Sequence, residues 1–169
     1  YKRNFFSKTI LHRAEPKPLS EFYQPLFITQ YKKFEQRKKI PTSSAKKLFS
    51  KYNYLTLIGS AGSGKSTIVK YLYTNCFTEG YKIPIKVELR YLNEFKGSIN
   101  DYIFNEIFHF QKLGFSNSII DRLLSSDSFV FFFDGYDELN SAIKSKTTKD
   151  IDAFVQKYHS NKFVITSRP

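Results

Sequence analysis

Nine residues from Gly59 to Thr67, "GSAGSGKST", combine the residue types that hold a polyphosphate. Gly59 is followed by four residues and then by Gly64, Lys65 and Ser66, the G-x4-G-K-[S/T] spacing. Ser60, Ala61, Gly62 and Ser63 are small, so the backbone can wrap closely around phosphates. Successive amides and the start of a helix then point at the anion. Lys65 is placed to reach the β- and γ-phosphates as a point charge, and the Ser66 hydroxyl to ligate Mg²⁺. A glycine-rich turn matching by chance is the competing reading. The context decides against it: an apolar run precedes the loop, and an amphipathic pattern follows it.

Such a loop needs a carboxylate at the carboxyl end of a nearby parallel strand. "FFFDGYDEL", residues 131–139, supplies one. Phe129 to Phe133 read as a buried strand, and Asp134 stands at its end, where ligands bind in open parallel sheets. Asp134 is assigned to Mg²⁺. Asp137 and Glu138 follow, and one of them is expected to orient and deprotonate an attacking water, with Glu138 preferred. The plainer alternative is that both acids merely suit the start of a helix. "VITSRP" ends a further strand on the same rim. Thr166, Ser167 and the forked guanidinium of Arg168 could sense a γ-phosphate there.

These groups need elements to carry them. "NYLTLIGS", "KIPIKVEL", "SFVFFFDG" and "NKFVITSR" read as four strands. Helical patterns lie between them. Residues 66–77 carry Ile68, Val69, Leu72, Tyr73 and Cys76, with Gly80 as the stop. Ser98 and Asp101 form a capping-box-like start for a helix with Ile99, Ile103, Ile107 and Phe110. Ile119, Ile120, Leu123 and Leu124 share another helix, and residues 149–158 put Ile151, Phe154, Val155 and Tyr158 on one face. The alternation argues for an α/β fold with a parallel sheet covered on both faces. Upstream, residues 1–19 read as a basic linker or the tail of an earlier element. "KKFEQRKK" reads as a solvated, helix-compatible charge run closed by Pro41, and Thr42 or Ser43 as the cap of a short helix with Ala45, Leu48 and Phe49.

At 169 residues, 41% hydrophobic and 25% charged, the chain can bury one sizeable core. Its longest apolar run, Phe129 to Phe133, is far too short to span a bilayer, and no membrane role is expected. Cys76 is the only cysteine, so no internal disulfide forms, which fits a cytoplasmic location. The chain starts at Tyr1 and lacks methionine, so a fragment of a longer protein is expected. A formal charge of +12 admits nucleic acid as a partner. Scattered lysines among abundant asparagine, phenylalanine and tyrosine favour compositional bias instead.

Together, "GSAGSGKST", "FFFDGYDEL" and "VITSRP" resemble the NACHT family of signal-transduction ATPases, within the STAND class of P-loop NTPases. The first looks like its Walker A, the second like its extended Walker B, and the third like its sensor 1 strand. "IPIKVELRYLNEF" also looks like its second strand, and the resemblance spans residues 20–169. It implies the ASCE strand order 5-1-4-3-2, with the fifth strand beyond Pro169. "FYQPL" looks like the segment near adenine, which would put Tyr23 and Gln24 by the base. The family's habit implies an ADP-held off state, ATP-dependent self-association, and an activating ligand sensed outside this stretch. It further implies slow hydrolysis in innate immune or antiphage defence. Two other classes compete: a nucleic-acid-stimulated ASCE ATPase or motor, suggested by the charge, and a non-hydrolysing scaffold. Intact Lys65, Ser66, Asp134 and Glu138 argue against the scaffold.

Overall fold

The computed structural model describes residues 6–7, 17–19, 23–30, 38–109 and 115–169. Two short antiparallel pairs come first: β1 (Phe6–Ser7) with β2 (Lys17–Pro18), and β3 (Phe27–Thr29) with β4 (Lys39–Pro41). Then follow α1 (Ala45–Phe49), β5 (Tyr54–Ile58), α2 (Lys65–Thr78) and β6 (Ile83–Glu88). A 3-10 turn (Leu89–Asn93) leads to α3 (Ile99–Tyr102), which runs on as a π-helix (Ile103–His109). The chain closes with α4 (Asn117–Ser125), β7 (Phe129–Asp134), a 3-10 turn (Tyr136–Glu138), α5 (Ser141–Lys157) and β8 (Lys162–Ser167).

The four long strands form one parallel sheet in the order β5-β8-β7-β6. Counted from the strand before the phosphate loop, that is 1-4-3-2, as the resemblance implies. The α/β class is therefore as expected. Among the described residues β5 is paired on one side only, by β8.

The centre of the sheet follows from period-two alternation along β7. Phe129, Phe131 and Phe133 face a core completed by α3, α4 and α5, while Val130 and Phe132 face α1 and α2. All five are buried. Phe131 stacks on Phe163 at 5.3 Å and meets Phe154 edge-on at 5.1 Å. Each such side chain contributes roughly 1.5–3 kcal/mol by leaving water. This packing fixes β7, and with it the rim on which Asp134 stands.

Four local expectations change. Lys39–Pro41 is a strand rather than the end of a charged helix: Ile28 pairs with Ile40, and Ile40 buries against α1 and α2. Ser44 caps α1, its Oγ accepting from the Lys47 amide at 3.2 Å, while buried Thr42 donates instead to the Leu26 carbonyl at 2.6 Å. The helix from Ile99 widens after one turn, and the π-winding brings Ile103 and Phe108, five apart, to the same core. Helix α5 begins at Ser141, well before residue 149. The Ser98–Asp101 capping box forms as expected. Phe110, residues 32–37 of the charge run, and the N-terminal stretch apart from residues 6–7 and 17–19 lie outside the described residues. Within that stretch Leu19 is buried. No described helix is long and apolar enough to cross a membrane.

Candidate functional site

The carboxyl ends of β5, β8, β7 and β6 share one edge of the sheet, and the chemistry gathers there. The Gly59 amide donates to the Ser167 carbonyl at 3.2 Å, so the loop leaves β5 tied to β8. Gly62 and Gly64 hold φ of 75° and 87°, a region that glycine adopts without strain. A side chain at Gly64 would meet Leu26 Cδ1 at 2.9 Å. The loop then enters α2, whose first turn holds Lys65 and Ser66. Lys65 Nζ folds back on its own loop, donating to the carbonyls of Gly59 and, at 3.0 Å, Ser60.

Asp134 is the hub opposite the loop. Thr166 Oγ1 donates to its Oδ1 at 2.7 Å and accepts from the Gly135 amide at 2.8 Å. Ser66 Oγ donates to the same Oδ1 at 3.4 Å. The other oxygen, Oδ2, lies 3.3 Å from Lys86 Nζ, which also pairs with Glu88 Oε1 at 3.2 Å. Arg90 in turn pairs with Glu88 Oε2. Burial pushes the Glu88 carboxyl up, but the charges and hydrogen bonds of Lys86 and Arg90 together outweigh it, so its pKa lies below the ordinary carboxylate value.

Gly135, at φ 85°, turns the chain out of β7 into the 3-10 turn that carries both further acids. Asp137 is held: Arg168 Nε lies 2.9 Å from Oδ2, and the Arg168 amide donates to Oδ1 at 3.0 Å. Glu138 is exposed, and its carboxylate makes no hydrogen bond or ion pair among the described residues. Its backbone is fixed instead. Asn93 Nδ2 donates to the Glu138 carbonyl at 2.9 Å, and Asn93 Oδ1 accepts from the Asn140 amide at 2.9 Å. Asn140, rather than either acid, stands at the N-cap of α5.

The loop from Ala61 to Thr67 faces Asp134, Asp137, Glu138, Thr166 and Arg168 across a cleft of about 300 Å³. Ser66 Oγ and Asp134 Oδ1 are hard oxygen donors 3.4 Å apart. The described residues contain no group of three or more acids, histidines or cysteines suited to a metal. Few protein oxygens beside an anion cradle suit Mg²⁺, which keeps waters and takes phosphate ligands. Tyr23 and Gln24 lie outside the cleft lining. Tyr23 packs on Tyr71 of α2, ring centroids 4.5 Å apart, Gln24 is exposed, and Leu26 is the residue of that segment that reaches the loop. A larger apolar hollow of about 1090 Å³ between the β3–β4 pair and β5 touches the loop at Ser63 and Lys65 but holds none of the acids.

Lys86, Glu88 and Asn93 were not legible as site residues. The one signal was a lysine at an inward phase of an apolar strand.

A model of the family described as "Novel STAND NTPase 3" matches residues 38–169. No curated protein sequence matches the chain. Among solved structures, the replication initiator DnaA bound to AMPPCP and single-stranded DNA is similar at 16% identity and a TM-score of 0.43, over 74% of this chain and 36% of that one. The C. elegans protein PCH-2 is similar at 17% identity and a TM-score of 0.38, over 69% of this chain and 30% of that one. The pCW3 conjugation coupling protein TcpA, a monomer with ATPγS, is similar at 12% identity and a TM-score of 0.35, over 86% of this chain and 48% of that one. The chain thus spans less than half the length of each.

Proposed function

This chain belongs to the novel STAND NTPase 3 family, and from that premise we propose that it is an ATP-binding, slowly hydrolysing signalling switch. In this reading ADP holds the off state and ATP permits self-association. The observation that carries it is the convergence of the loop, Asp134, Asp137, Glu138, Thr166 and Arg168 on one small cleft.

Each residue has a stated task. The amides from Ala61 to Ser66 and the Lys65 ammonium bind the phosphates, which requires Lys65 to leave the Gly59 and Ser60 carbonyls. Ser66 and Asp134 would hold Mg²⁺, which when bound neutralises charge building on the phosphate oxygens. Thr166 keeps Asp134 Oδ1 aimed at Ser66. The Glu138 carboxylate, unpaired among the described residues, accepts a proton from water as the water oxygen attacks the γ-phosphorus. The bond from that phosphorus to the bridging oxygen breaks, leaving ADP and phosphate. Asp137 anchors Arg168 at the rim rather than serving as the base, which the paired contacts between them support. An innate immune or antiphage output, triggered by a ligand sensed elsewhere, is part of the same proposal by family habit.

The test is thermal. Mg-ADP at about a hundred times its dissociation constant should stabilise the protein by roughly 2.7 kcal/mol. Lys65→Ala should remove that shift, and an undiminished shift would take Lys65 away from the phosphates. Size-exclusion chromatography should show a larger species with ATP than with ADP. The charge of +12 favours one second reading, a nucleic-acid-stimulated ATPase. Stimulation of turnover by DNA or RNA at low salt would select it, and a flat response would remove it.

A further inference from the structure

We infer that Lys86 is a resident counter-ion of the metal carboxylate, offsetting Asp134 when no Mg²⁺ is bound and so setting how strongly nucleotide binding depends on Mg²⁺. The inference rests on the nucleotide-site reading above and deepens it.

The first observation is where Lys86 sits. Its neighbours Pro84, Ile85 and Val87 on β6 are buried, and its own side chain is only 9% exposed. Lys86 pairs in register with Phe132, so it lies on the α2 face of the sheet, the face that carries the phosphate loop. An ammonium kept this far from water is costly unless it is paired.

The second observation is how it is paired. Its two partners are Asp134 Oδ2 and Glu88 Oε1, and Glu88 is in turn balanced by Arg90. The two oxygens of Asp134 are thereby divided: Oδ1 faces Ser66 and Thr166, while Oδ2 faces Lys86. The lysine makes no contact with the oxygen nearest Ser66 and places its positive charge on the other oxygen of the same carboxylate. Asp134 is itself only 11% exposed, so solvent screens this charge weakly.

Two opposed effects follow. Without Mg²⁺, a polyphosphate entering the cleft meets an Asp134 that Lys86 has partly neutralised, so metal-free nucleotide still binds. With Mg²⁺, the same ammonium repels the dication and weakens its hold. Both effects lower the Mg²⁺ dependence of nucleotide affinity. Glu88 restrains Lys86, so removing the Glu88 charge should exaggerate both effects.

The experiment is calorimetric titration of ADP into the intact protein, in Mg²⁺ and in EDTA. The reported quantity is the ratio of the two dissociation constants, EDTA over Mg²⁺. Lys86→Met keeps the unbranched stem and should widen that ratio at least about tenfold. Lys86→Arg should return it towards wild type. Glu88→Gln should narrow it. Loss of packing alone would weaken both affinities together and leave the ratio unmoved. Ratios within about twofold of wild type in Lys86→Met and Glu88→Gln would overturn the inference. If Lys86→Met does not fold, Glu88→Gln decides: narrowing supports the inference and no change removes it. A wild-type protein that binds ADP in neither buffer would remove the nucleotide-site reading itself, and this inference with it. Wild-type binding with flat ratios removes only the role of Lys86.

Discussion

The two acids after β7 should separate when each loses its charge in turn. Asp137→Asn breaks an anchored group. Its side chain is 20% exposed and its Arg168 partner 57%, so the ion pair contributes about 0–1 kcal/mol after solvent screening. The hydrogen bond from the Arg168 amide weakens with the lost charge, by a further fraction of its roughly 1 kcal/mol. The sum is about 1 kcal/mol, or roughly 2–4 °C in Tm for a chain of this size. Glu138→Gln loses no side-chain partner among the described residues, so its stability should stay within about 0.5 kcal/mol of wild type. Its carboxylate is the proposed proton acceptor, and its loss should slow hydrolysis by roughly 10²–10⁴. Asp137→Asn should cost less than about tenfold in rate, equivalent to roughly 1.4 kcal/mol of barrier. Single-turnover ATP hydrolysis and scanning calorimetry on both variants of the intact protein give the four numbers. A large rate loss in Asp137→Asn with unchanged Tm, beside a fast Glu138→Gln, would exchange the two roles and refute the reasoning.

Two further expectations concern the frame. Burial, with a smaller contribution from the Glu79 charge, pushes the Cys76 thiol up to about 12, and the residue is 1% exposed. Iodoacetamide at pH 8 should therefore label it only as denaturant opens the protein; rapid labelling of the native state would contradict the packing of α2. Ser98→Ala should cost about 1 kcal/mol, measured by denaturant unfolding, because it removes the helix cap. The Ser98 side-chain and backbone hydrogen bonds depress the Asp101 carboxyl below its ordinary 3.8. Its contribution is complete above that value and is lost as pH falls through the lower folded value, so the gap between wild type and Ser98→Ala should shrink with acidification.

Much of the fold was legible because it follows from local spacing. The apolar run at Phe129–Phe133 and the glycines of the loop mark strand and turn without reference to any distant residue. Residue order also places Asp134 at a strand end, whereas the sheet order was implied by the family resemblance and not by spacing. What was illegible depends on partners far along the chain. The different surroundings of Asp137 and Glu138 come from Arg168 and Asn93, which lie far from them in sequence. Ile40 becomes a strand residue because Ile28 and a hydrophobic face are there to receive it, although two lysines precede it in sequence. The widening of the helix after Tyr102 reflects the positions at which Ile103 and Phe108 must meet β7, and periodicity counted at 3.6 residues per turn cannot register it.

The cleft is built on two strands of unequal standing. Asp134 ends β7, which is flanked by a strand on each side and packed with aromatic rings on both faces. The phosphate loop follows β5, paired on one side among the described residues, with Tyr54 and Ile58 about half or more exposed. Local opening starts where contacts are fewest, so amide exchange should release β5 and the loop well before β7. A nucleotide bridging Lys65 and Asp134, as proposed above, would then act as a clasp between the soft and firm parts of the sheet. Under the proposed function, its departure would return β5 and the loop to that local opening, so nucleotide release and loosening of β5 would go together.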